Sequence, residues 1–240
     1  MLEPFSIVLS ALAAAAGSLV QGSVGFGFSL ISAPLMALID PRLVPGPATV
    51  ASAALNLMTL HRTRRGPADW RGVRWAGAGL VPGTVAAGVM LAAMSAHFVA
   101  VTVGVLVLIA VLLSAAGIKI RRKPGSMLTI GAVSGFMGTV ATVGGPAMAL
   151  AYQHDSGPVI RATLNRFFLV GTVITVAVLI PAGKLGQEHL LAGLAMVPGV
   201  AIGFLAAQGL HERIDAGWAR PAVLGVSAVS SIAVLLKELV

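Results

Sequence analysis

Two clusters of glycines and neutral hydrogen-bond donors stand out in this chain. Gln21, Ser23, Gly25, Gly27 and Ser29 form the first; Thr139, Thr142, Gly144 and Gly145 form the second. Glycine lets a backbone turn sharply and approach a ligand closely. A helix broken at such a turn restarts with unpaired N–H groups and a partial positive charge, which suits an oxyanion. Hydroxyls and amides nearby add neutral donors, able to release a cargo as well as hold it. Arg166, with Asn165 beside it, would lie about two turns inside a membrane boundary if a span starts near Val159. Intramembrane cations are costly and usually line a cavity or face a partner, so both residues join the candidate substrate-binding set.

Each assignment has a plainer alternative. A Ser or Thr hydroxyl can bond a carbonyl of its own helix, and Arg166 can snorkel to the inner interface. Gly131, Gly135, Gly199 and Gly203 are read as small residues that let helices pack closely. Asn56 needs a partner inside its span, and an interhelical bond is favoured over ligand contact. Arg161 is read as an interfacial positioner, and the Arg62–Arg74 cluster as an anchor at the inner headgroups.

These clusters sit in a chain that is 57% hydrophobic and only 10% charged, with a mean hydropathy of +0.95. Soluble domains carry about 25% charge, so no water-facing surface can be built from it. The expected fold is all-α and integral to the membrane. With no cysteine, disulfides and thiolate metal sites are excluded, and neither metal nor cofactor is expected. The formal charge of +8 falls in short loops between spans, where it reports orientation and not nucleic-acid binding. An intramembrane hydrolase is disfavoured, because Ser23 has no oriented base: the five histidines fall at boundaries or in loops. The start, Met1-Leu2-Glu3-Pro4, lacks a basic leader region, so a retained membrane segment is expected.

The charge-free stretches Phe5–Ile39 and Pro124–Gln153 are too long for one comfortable helix and are interrupted by glycine. Broken helices at membrane depth are tolerated only against protein or a water-filled cavity. Each stretch is therefore read as a helical hairpin, near 5–39 and 126–152. Six full spans are expected at 44–60, 75–94, 98–117, 160–182, 190–210 and 219–238. Motifs recur across the halves: Gly22-Ser23-Val24 as Gly138-Thr139-Val140, Val81-Pro82-Gly83 as Val197-Pro198-Gly199, and Asp40 as Asp155. Two repeats follow, 1–120 and 126–240, joined by a cytoplasmic linker at 121–125. With hairpins entering from opposite faces, only Arg42, Lys184 and Lys237 of the 16 basic residues stay outside, and Lys119, Arg213 and Arg220 fall inside with the rest. The positive-inside rule prefers this inverted arrangement to the alternative.

At its glycine turns the chain resembles the TauE/SafE family of sulfite- and sulfonate-exporter-like permeases. The residues that carry the resemblance are Gly25-Phe26-Gly27-Phe28-Ser29 with Pro34 beyond, Val143-Gly144-Gly145-Pro146 followed by Tyr152-Gln153, and the stretch Gly157–Phe168. Phe28 and Ser29 depart from the family pattern, which expects glycines there. The resemblance implies a permease for a small inorganic or organic anion in the inner (plasma) membrane, with the site between the two hairpins. No Asp or Glu falls within a proposed span apart from Glu238 at the very end of the last, so potential-driven efflux without a coupling ion is expected. A carrier of small carboxylates or another metabolite, working in uptake, is the main alternative; a membrane scaffold is a remote one. Homo-oligomerisation is left open, and the remaining partner is the lipid bilayer.

Overall fold

The computed structural model describes residues 3–118, 120–214 and 219–239. Lys119 lies outside them, as do the side chains of Arg213 and Arg220. The described residues form eleven α-helices and one 3-10 turn. Helix α1 (Pro4–Val24) and α2 (Phe28–Ile39) make the first broken pair, and the 3-10 turn Pro41–Leu43 leads on. Then come α3 (Gly46–Thr63), α4 (Trp70–Ala93) and α5 (Ala96–Ala116). The second broken pair is α6 (Pro124–Ala141) and α7 (Gly145–Tyr152), followed by α8 (Gly157–Leu179), α9 (Gln187–Ala195), α10 (Val197–Ile214) and α11 (Ala219–Leu239).

Local chemistry fixes many of these ends. Proline occupies the first turn of α1, α3, α6, α7 and α8, where its missing N–H costs nothing. Asp69 caps α4 by accepting from Gly72 N at 2.9 Å, and Ser95 caps α5 through Phe98 N.

Six helical stretches are long and apolar enough to cross a membrane: Pro4–Val24, Trp70–Ala93, Ala96–Ala116, Gly157–Leu179, Gln187–Gln208 and Pro221–Leu239. This set differs from the sequence expectation in one place. The segment at 44–60 drops out and α1 takes its place. Helix α3 has 18 residues, about 27 Å at 1.5 Å per residue, but Thr49, Ser52, Asn56, Thr59 and Thr63 lower its hydropathy. The span expected at 190–210 is present as Gln187–Gln208, with a turn at Met196 between α9 and α10. Pro198, just beyond, has no N–H to continue a ladder.

The helices pair in an exchanged pattern. Helix α1 runs along α10 while α6 runs along α4, and α3 meets α8 as α5 meets α11. Glycines make the two long contacts. A Cβ added at Gly199 or Gly203 would strike the carbonyl oxygen of Ala11 or Ala15, and one at Gly79 or Gly83 that of Leu128 or Ala132. Gly131 and Gly135 meet the Ala76 and Leu80 carbonyls in return. Backbones approach this closely only through small residues. Gly79 and Gly83 thus meet α6 as Gly199 and Gly203 meet α1, each through a carbonyl of the facing helix. Large apolar side chains such as Leu12, Val89, Leu112, Val173, Ile202 and Val229 are exposed on the outside, while hydroxyls and amides are buried within. That inversion is what a lipid solvent demands.

Candidate functional site

The two helix breaks meet. At the first, Gly25 and Gly27 take φ of 100° and 114°, conformations that glycine alone adopts freely. Gly25 N closes α1 on Gln21 O at 2.8 Å. The Gln21 side chain then bridges the gap: its Oε1 accepts from Phe28 N at 3.3 Å, and its Nε2 donates to Asn56 Oδ1 at 3.1 Å. At the second break Thr142 holds φ of 58°, and Val143 N donates to Met137 O at 3.2 Å. A Cβ added at Gly145 would lie 3.5 Å from Phe26 Cβ, so the tips are in contact.

Between them is a cavity of about 80 Å³, room for several waters or one small ion. Gln21, Gly27 and Ser29 line it from the first pair, and Ser134, Gly138, Thr142, Gly144 and Gly145 from the second. Helix α3 contributes Thr49, Ser52 and Asn56; α8 contributes Phe167, Phe168, Gly171, Thr172 and Thr175. Among the described residues, no charged side chain lines the cavity. The amino-terminal ends of α2 and α7 both open here, and the first N–H groups of a helix lack partners within it. Asn56 Nδ2 makes only a 3.4 Å contact to Thr172 Oγ1. Thr49 and Ser134 are 4% and 1% exposed, and their hydroxyls have no hydrogen-bond partner among the described residues. Leaving such a group buried and unpaired costs about 1–3 kcal/mol, a penalty that a bound polar ligand removes.

Of the residues expected from sequence, Gln21, Gly27, Ser29, Thr142, Gly144 and Gly145 line this cavity. Five others lie elsewhere. Ser23 Oγ donates to Leu19 O at 2.8 Å, the plainer outcome for a helical serine. Gly25 abuts Arg161, whose Cγ would lie 2.7 Å from an added Cβ. Thr139 sits behind the wall, its hydroxyl 3.1 Å from that of Thr175. Asn165, oriented to satisfy both neighbours, donates to Asn56 O at 3.1 Å and accepts from Leu60 N at 3.0 Å.

Arg166 neither snorkels nor faces the cavity. It is buried, and its Nη2 reaches Thr63 O at 3.3 Å and Arg64 O at 2.9 Å, while Nη1 donates to Ala162 O at 2.9 Å. Its guanidinium also stacks 5.2 Å from the Trp70 ring centroid. The end of α3 presents carbonyls with no helical partner and a partial negative charge, and Arg166 satisfies both.

Sequence reasoning passed over Thr49, Ser52, Ser134, Thr172 and Thr175; the interhelical bond it favoured for Asn56 is present, to Gln21 and Thr172, and Asn56 lines the cavity as well. A signal was present: 49, 52 and 56, like 172 and 175, repeat at helical spacing inside apolar spans.

A family profile described as Sulfite exporter TauE/SafE matches residues 9–234, nearly the whole chain. Neither a curated protein nor a solved structure matches it. Apolar helices fit to cross a membrane, a helix-broken interior and this full-length match agree: the chain belongs to the sulfite exporter TauE/SafE family, whose members are multi-pass membrane transporters and not enzymes.

Proposed function

We propose that the protein carries a small oxyanion, such as sulfite or an organosulfonate, outward across the inner (plasma) membrane, and that the cavity between the helix breaks is its binding site. We read the chain as two inverted repeats, 1–120 and 126–240, around that site; the exchanged pairing of α1 with α10 and α6 with α4 supports this. One observation carries the substrate class: two helix amino-termini and two unpartnered buried hydroxyls converge on a cavity with no charged lining. Such donors favour an anion, and without a fixed cation they bind it loosely enough to turn over.

The cavity lining also lacks any carboxylate for a coupling cation. An inside-negative potential drives an anion out by about 2.3 kcal/mol per charge per 100 mV, so no coupling ion is required. The purified protein in liposomes should carry sulfite at a rate that climbs as the potential on the loading side is made more negative. Flux that tracks a proton gradient and ignores potential sinks the coupling; flux of small carboxylates alone sinks the substrate class.

A further inference from the structure

A second cavity, about 210 Å³, lies beside the first toward the arginine-rich face. Arg62 from α3, Arg161 from the first turns of α8, Thr59, Thr63 and Gln21 line it. We propose that it is a second anion site, a loading vestibule in which Arg62 and Arg161 gather the anion before it reaches the central cavity. As a stage of transport this rests on the oxyanion reading above; as a binding site it does not.

Charge gives the first argument. Arg42 is paired with Asp40, Lys184 donates to Met94 O, and Lys237 donates to Leu38 O, so the cations of the opposite face are tied down. Among the described residues, Arg62 and Arg161 make no ion pair and no carboxylate lines the vestibule. Arg62 is held at its mouth by stacking, with its guanidinium 5.3 Å from the Phe204 ring centroid. Two guanidinia with no ion-pair partner among the described residues, set at a concave, partly apolar wall, concentrate field lines and anions, and each presents a fork of donors matched to an oxyanion.

Connection gives the second. Gln21 lines both cavities. Along α3 the polar residues 49, 52, 56, 59 and 63 repeat every three or four positions, so they form one stripe. Its first three members face the central cavity and its last two face the vestibule. The Gln21–Asn56 hydrogen bond therefore stands where the two linings meet. Thr59 and Thr63 spend their hydroxyl protons on Leu55 O and Thr59 O, which leaves the guanidinia as the donors.

The test uses sulfite as the probe and the full-length protein in detergent and in liposomes. Calorimetric binding at low and high salt is compared for the native chain, the R62Q/R161Q double variant and the R62K/R161K double variant. The glutamine pair should weaken low-salt binding by about tenfold and flatten its salt dependence, while the lysine pair, keeping the charge but not the fork, retains the salt dependence with a smaller loss of affinity. In liposomes loaded from the arginine-rich face, the same loss should appear in KM. Should R62Q/R161Q fail to fold, the single R62Q variant carries the comparison. Native affinity and native salt dependence in the glutamine variant overturn the vestibule. Salt-sensitive, arginine-dependent binding without any flux leaves the vestibule standing and removes the transport reading. Flux with unchanged KM in the variant does the reverse.

Discussion

The two helix breaks reach one geometry by different means. In the first, Gly25 and Gly27 both hold left-handed conformations, so glycine is there for its φ. In the second, the left-handed position belongs to Thr142, while Gly144 has an ordinary φ of −78°. Gly144 is needed for space: a Cβ there would lie 2.7 Å from Ser134 O. One break is thus a conformational requirement, and the other is a packing requirement with strain placed on a β-branched neighbour. A glycine motif alone does not say which of these it marks.

Four experiments sharpen that contrast. The largest effect is expected from Gly27→Leu and Gly144→Leu. Each fills the cavity, so sulfite flux into liposomes should fall to background; near-native flux in either refutes its place at the site. Next come the subtler replacements. Gly27→Ala should cost about 1–3 kcal/mol through backbone strain, and Gly144→Ala a similar amount through overpacking. Asparagine, which tolerates the left-handed region, should recover part of the stability at position 27 and none at 144, as read by thermal melting. Equal behaviour of the two asparagine variants would erase the distinction.

The third experiment concerns the unpartnered hydroxyls. Thr49→Val and Ser134→Ala remove a buried unpaired group, so each should raise stability, by about 1 kcal/mol, while lowering flux. A loss of both stability and flux would mean that the hydroxyls serve the fold. The smallest effect is at Thr142. Glycine there relieves about 1–2 kcal/mol of left-handed strain and loses about 0.4–1 kcal/mol to the freer unfolded chain. The net is a gain of about 0.5–1 kcal/mol, opposite in sign to Gly27→Ala at the matching tip.

Much of the fold was legible because apolar length and charge placement are one-dimensional signals. The hairpins near 5–39 and 126–152 and their glycine turns follow from them directly. Helix α3 was legible only in part: its stripe of Thr, Ser and Asn was visible at helical spacing, yet its significance depends on which helices face it. Arg166 shows the limit best. Sequence reveals a cation inside a span, but the carbonyls it satisfies come from Thr63 and Arg64, more than 100 positions away.

A cavity walled by amides, hydroxyls, glycines and apolar rings contains nothing that gains or loses a proton near neutrality. The pH–flux curve of this carrier therefore becomes an acid–base titration of its passenger. Sulfite, sulfonates and carboxylates ionise over different ranges, so each would print its own curve, and the acidity of the cargo can be read from the rate alone.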